Sequence, residues 1–156
     1  MKNVLMVLLL TGVAYTAIAQ KGYDLGPGGE FAAGVRLGGG SGLTLKKYHR
    51  SNLSAFEVIA DWNFDEEVEG FGTTILFEKL AGIGFNDRLC AQFGFGAAGV
   101  FGDEFRAGPA ATIGFDWRLG EKIPIGLQLD WTPSWLIIND NYFSPFNAAV
   151  SARWVF

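Results

Sequence analysis

The sequence predicts an all-β chain: a single eight-stranded antiparallel transmembrane β-barrel. Three observations predict it. Apolar and polar residues alternate through eight separate segments, the period of a strand with two unlike faces. The chain is 49% hydrophobic with a mean hydropathy of +0.22. Past the first twenty residues no apolar run is long enough for a membrane helix, so the hydrophobicity is dispersed as alternation requires. The polar parity is rich in Gly and Ala and carries charges of both signs, which suits a narrow closed lumen better than a solvated face.

The elements follow in order. Met1-Lys2-Asn3 is a short positive start, Val4 to Ala14 is an apolar stretch, and Ala17-Ile18-Ala19 is an A-x-A cleavage site with Gln20 as the mature start. Residues 1–19 are therefore expected to be a cleaved signal peptide of the Sec type. Residues 20–29 form a Gly-rich periplasmic lead-in, and 30–156 the barrel. Strands are expected over 30–38, 42–49, 53–64, 71–82, 87–101, 105–119, 123–133 and 146–156. Turn residues separate them: Gly39-Gly40-Ser41, Arg50-Ser51-Asn52, Asp65 to Gly70, Gly84-Phe85-Asn86, Gly102-Asp103-Glu104 and Gly120-Glu121-Lys122. A longer connection runs from Ser134 to Pro145. An even count places both termini on one side of the membrane.

Within 105–119 one parity is Phe105, Ala107, Pro109, Ala111, Ile113, Phe115, Trp117 and Leu119; the other holds Arg106, Asp116 and Arg118 among Gly, Ala and Thr. In 53–64, Phe56, Val58, Ala60, Trp62 and Phe64 oppose Glu57 and Asp61. Segment 42–49 is less regular, because Lys46-Lys47 puts a charge on each face. A soluble ligand-binding barrel has the same period with the faces exchanged. The polar set decides for lipid outside. Arg36, Lys46, Arg106, Arg118 and Arg153 stand against Glu30, Glu57, Asp61, Glu78, Asp116 and Asp130, and buried charges need partners. Phe64, Phe71, Phe101, Phe105 and Trp131 fall near one set of strand ends, and Trp117, Trp154 and Phe156 near the other, as two interfacial girdles would.

The terminal run Phe146-Asn-Ala-Ala-Val-Ser-Ala-Arg-Trp-Val-Phe156 matches the roughly 9–11 residues of a tilted spanning strand. It resembles the last strand of Gram-negative outer-membrane β-barrels, in which a final Phe and alternate apolar residues form the insertion signal. That resemblance assigns the role to Trp154 and Phe156. Residues 70–79 (Gly-Phe-Gly-Thr-Thr-Ile-Leu-Phe-Glu-Lys) and 123–133 (Ile-Pro-Ile-Gly-Leu-Gln-Leu-Asp-Trp-Thr-Pro) resemble a group of small Gram-negative outer-membrane barrels of unassigned activity. In architecture the chain resembles the OmpX, OmpA and OmpW barrels. These resemblances imply a cell outer-membrane location. They also imply contact with outer-membrane lipid and lipopolysaccharide, and passage through periplasmic chaperones and the barrel-assembly machinery.

Little chemistry is offered. Cys90 is the only cysteine, so no intrachain disulfide forms. A net charge of −4 argues against nucleic acid. His49-Arg50-Ser51 is the one His-x-Ser pattern, and with Glu57 it would make a triad of the kind some outer-membrane lipid deacylases use. By strand count it lies at a periplasmic turn, away from outer-leaflet lipid A. Gly38 to Gly42 lacks the Lys and helix of a phosphate loop. Asp65-Glu66-Glu67-Val68-Glu69, with Asp103, Glu104 and Asp140, makes an acidic outer rim that is a candidate for divalent cations bridging lipopolysaccharide. The apolar Ser134 to Phe143 connection is a candidate cap or lipid contact. No cofactor is expected.

The expected role is structural or interactional, without catalysis, around a plugged lumen lined by Arg36, Glu57, Asp61, Glu78, Arg106, Asp116, Arg118, Asp130 and Arg153. A narrow pore or uptake path for small hydrophobic molecules is the alternative. A lipid-modifying enzyme is the second.

Overall fold

The protein is described from a computed structural model. It describes residues 28–49, 53–62, 70–83, 86, 88–120, 123–139, 141–145 and 147–156. Ala17, Ala19 and Gln20, residues 65–69, Ser51, Phe64, Asp140 and Phe146 lie outside these described residues.

Ten ladder elements build an eight-stave antiparallel barrel. They are β1 (Phe31–Gly38), β2 (Ser41–His49), β3 (Ser54–Trp62), β4 (Phe71–Gly82), β5 (Leu89–Phe101), β6 (Phe105–Arg118), β7 (Ile125–Trp131), β8 (Ser134–Leu136), β9 (Tyr142–Ser144) and β10 (Ala148–Val155). Neighbours in sequence pair from β1 to β7, β7 pairs β10, and β10 returns to β1. The ring is therefore closed and has no open edge. The seam between β1 and β10 runs from Ala32↔Val155 to Gly38↔Ala149. It is extended by Phe31 N–H donating to Phe156 O (3.0 Å) and Phe156 N–H donating to Phe31 O (2.8 Å).

The elements form where the alternation is. On β6 the outward positions are Phe105, Pro109, Ala111, Ile113, Phe115 and Trp117, and the buried ones Ala110, Thr112, Asp116 and Arg118. β-Branched and aromatic side chains favour such a pleated surface. Gly and the Asp103-Glu104 pair supply the short β5–β6 turn. Two inward glycines are dictated by close approach. A Cβ on Gly96 would lie 1.8 Å from Ile75 O, and one on Gly38, whose φ is +151°, would lie 2.3 Å from Ala148 O. No L side chain fits there without moving backbone.

The sequence expectation for 134–145 is corrected. The stretch is not loop throughout; it holds β8 and β9, which pair with each other (Ser134↔Ser144, Trp135↔Phe143, Leu136↔Tyr142), and Leu136 and Tyr142 join the apolar cluster at that end of the lumen. β8 prolongs the stave of β7 by pairing with β6 at Ala110↔Ser134. Pro133 and Pro145 lack an N–H, so each interrupts the ladder and splits one long stave into two assigned pieces. Cross-links bridge the breaks: Thr132 N–H donates to Asn147 O (2.8 Å) and Trp131 Nε1 to Pro145 O (2.5 Å). Trp131 consequently stands below the rim, with Trp135 and Phe143 beyond it. The other expected segments match the observed strands to within two residues over the described part.

The wall is inverted relative to a water-soluble barrel. Phe95 is 69% exposed and Trp154 58%, whereas Arg36, Lys46, Glu57 and Glu78 are 0%. Inside, the lumen is layered. Ile59, Leu76, Ala98, Val100, Ala110 and Leu136 cluster toward the end remote from the termini, with Tyr142 against them. Ala32, Tyr48, Ala55, Leu80, Cys90 and Val155 cluster at the terminal end. The network around Lys46 and Arg153 lies between these two apolar lids, and the Arg118–Glu30 pair stands at the terminal end. Cys90 is a buried free thiol that fills the lower lid. Among the described residues no helix is long and apolar enough to cross a membrane.

Candidate functional site: a sealed charge network

The inward parity of all eight staves delivers polar side chains to the middle of the lumen. Lys46, from β2, is at the centre. Its Nζ lies 2.6 Å from Glu78 Oε2, 3.0 Å from Asp116 Oδ2 and 3.7 Å from Glu57 Oε2. It also donates to Gln128 Oε1 (2.8 Å) and Gln92 Oε1 (2.9 Å). An ammonium has three protons, so five oxygens within reach saturate it.

Arg153, from β10, is the second cation. Its Nη2 donates to Glu57 Oε1, its Nη1 to Gln128 Oε1 (2.6 Å) and its Nε to Thr44 Oγ1 (3.2 Å). Thr44 Oγ1 donates in turn to Glu57 Oε1 at 2.5 Å. Gln128 works in both directions. Its carbonyl accepts from Lys46 and Arg153, while its Nε2 donates to Glu57 Oε2 (3.2 Å) and Asp130 Oδ2 (3.0 Å).

Asp130 connects this cluster to a third cation. Arg36 Nη1 lies 2.6 Å and 2.7 Å from the two Asp130 oxygens, and Arg36 Nη2 donates to Asn147 Oδ1 (3.2 Å). Thr132 donates to Asp130 Oδ1 (2.9 Å). Toward the terminal end, Tyr48 O–H donates to Asp116 Oδ2 (2.7 Å). The Arg118 guanidinium lies 4.3 Å from the Tyr48 ring centre and reaches Glu30 Oε2 at 3.1 Å.

Of the residues the sequence nominates, the structure joins Arg36, Glu57, Glu78, Asp116, Asp130 and Arg153 in one network, with Arg118 and Glu30 attached through Tyr48. Arg106 stands opposite Val100 toward the upper lid and is half-buried. Asp61 is 1% exposed and inward, across Gly42 from Arg36, but its carboxylate oxygens make no hydrogen bond. Sequence reasoning counts Lys46 among the inward cations but does not mark it as the centre, and Lys46-Lys47 leaves a charge on each face of the strand. The structure resolves the pair: Lys46 points in, and Lys47 points out, 4.5 Å above the Phe31 ring. Tyr48, Thr44, Gln92 and Asn147 were not singled out either, though each has the inward parity of its stave.

Desolvating an ion costs several kcal/mol, recovered only through good geometry and complete hydrogen bonding. The network meets that condition at Lys46, Arg153 and Glu57 and falls short of it at Asp61, Glu78 and Asp116, which keep carboxylate oxygens without a hydrogen bond. Such an arrangement ties strands together across the bore, with Glu57 engaged by Arg153, Thr44 and Gln128. His49 is exposed on the outward face while Glu57 is buried inward, so these two do not form a catalytic pair. Among the described residues no group of three or more His, Cys, Asp or Glu is placed to hold a metal ion. Asp103 and Glu104 are exposed at the β5–β6 turn; the rest of the acidic rim lies outside the described residues.

No protein-family model matches the chain, and no curated protein and no solved structure matches it either, so its architecture is what places it: a closed eight-stave antiparallel β-barrel.

Proposed function

We propose that the chain is an integral β-barrel of a Gram-negative outer membrane, with a plugged lumen and a structural or interaction role rather than a catalytic one. The observation that carries this reading is the inversion of the wall. A girdle of Phe, Trp, Leu, Val and Ile surrounds the whole circumference, while Lys, Arg, Glu and Asp are sealed inside. In water such an exterior is an aggregation liability far beyond the patches monomers tolerate; in hydrocarbon it is the matched surface. Closure of the ring supports the same reading, because an open edge could not be satisfied in lipid. The plug follows from the filled bore: in an eight-strand barrel side chains occupy the interior, and here they are bonded across it. The signal-like residues 1–19 and the aromatic Phe156 favour export and barrel-type insertion.

Electrophoretic mobility of the outer-membrane fraction, boiled against unboiled, tests the reading. A faster unboiled band in that fraction is expected. An unshifted band confined to the soluble periplasmic fraction would overturn it.

A further inference from the structure

The outer wall carries a feature the lumen does not explain. A furrow of about 480 Å³ runs along the outside of β1, β2 and β3, lined by Ala33, Val35, Leu43, Leu45, Val58 and Ala60. This volume falls within the range of small-molecule sites, roughly 300–1,000 Å³. It arises because Ala33 and Ala60 are short while Val35, Leu43, Leu45 and Val58 stand up around them. Leu43, Leu45 and Lys47 are successive outward positions of β2, so a cation stands one outward position beyond the apolar furrow.

That end is built. Phe31, Lys47, Phe56 and Phe77 form one lateral rank, through Phe31↔Lys47, Lys47↔Phe56 and Phe56↔Phe77. The Phe56 and Phe77 rings meet edge-on at 5.6 Å. Lys79, one outward position nearer the terminal end, holds its ammonium 5.5 Å from the Phe77 ring centre. Two lysines lying on aromatic rings, with apolar surface above, keep their heads at an interface while their stems cover hydrocarbon.

We propose that the furrow seats one acyl chain of a glycerophospholipid whose phosphate is held by Lys47. The leaflet follows from the geometry and rests on the membrane reading above. Lys47 lies at the end of the wall where Phe31 stacks on Phe156, hence on the periplasmic side. A lipid A phosphate would have to enter from the opposite end, where the described rim charges are Asp103 and Glu104.

The test is native mass spectrometry of the full barrel, reconstituted with phosphatidylethanolamine, phosphatidylglycerol and lipid A and released in mild detergent. Each protein is first checked for the boiled–unboiled gel shift. The wild-type barrel is expected to retain one phospholipid. Lys47→Gln should lower retention about fivefold, the worth of one basic residue at a lipid surface. Ala60→Phe, which fills the furrow, should abolish retention, and Ala111→Phe on β6 should leave it unchanged. Equal retention by wild type, Lys47→Gln and Ala60→Phe overturns the proposal while leaving the membrane reading intact, as does retention of lipid A in place of phospholipid. A protein found only in soluble fractions overturns both.

Discussion

Replacing Lys46 with methionine removes the ammonium at the centre of the lumen and leaves a side chain of similar length. Glu78, Asp116 and Glu57 lie within 2.6–3.7 Å of that ammonium. Among the described residues the buried charges are Arg36, Lys46, Arg118 and Arg153 against Glu57, Asp61, Glu78, Asp116 and Asp130, four against five; the substitution makes them three against five. Removing one partner of a buried pair costs about 3–5 kcal/mol, so the unfolding equilibrium constant should rise roughly a hundred- to several-thousand-fold. Reversible urea unfolding of the barrel in phospholipid vesicles, followed by tryptophan fluorescence, measures this. A cycle with Glu78→Gln isolates the pair. If Glu78 is a direct partner, the double variant should be more stable than the two single losses predict, by about 1.5 kcal/mol or more. Two results would refute the reasoning: a Lys46→Met cost under about 1 kcal/mol, or strict additivity in the cycle.

Three further outcomes are expected. Gly96→Ala should give no unboiled fast band, because its Cβ would meet Ile75 O at 1.8 Å. Gly99→Ala should fold normally, since its nearest neighbour is a Phe105 ring carbon at 3.6 Å; the gel shift compares them. In planar bilayers the wild-type barrel should show no steady single-channel openings, because the bore is filled by Lys46, Arg153, Gln128 and Arg36; sustained conductance would refute the plug. Phe156→Ala removes the ring stacked on Phe31 at 6.3 Å while keeping the backbone bonds of the seam. It should slow appearance of the fast-migrating form in lipid several-fold without abolishing it.

The barrel was legible because the period of two survives in every long stave, as in Ile125 to Trp131 or Phe105 to Arg118. Which face turns inward was legible from chemistry: glycines and balanced charges on one parity, large apolar residues on the other. The hairpin of β8 and β9 was not legible. Its strands are three residues each, and Pro133 and Pro145 imitate loop boundaries, although Ser134, Leu136 and Ser144 keep the inward parity. Lys46 and Lys47 blurred β2 because a cation is tolerated on the outer face only near the interface, and the sequence does not mark depth. Partners inside the lumen were beyond reach. Arg36 meets Asp130 because β1, β10 and β7 align Arg36 with Ser151 and Ser151 with Gln128, a register set by closure and not by chain separation. For the same reason Asp61, which belongs to the balanced set by composition, lies outside the bonded network.

The distribution of buried charge among hairpins bears on how the barrel is assembled. The hairpin of β1 and β2 carries Arg36 and Lys46, two buried cations; that of β3 and β4 carries Glu57, Asp61 and Glu78, three buried carboxylates. Neither is neutral alone, and an unpaired ion in hydrocarbon is costly. On the membrane reading proposed above, the hairpins therefore cannot enter a bilayer one at a time at low cost; their charges are largely offset only once neighbours are in register. Insertion should be cooperative, with the ring nearly complete before it crosses, and a stalled intermediate would be held at the membrane surface by its own uncompensated ions.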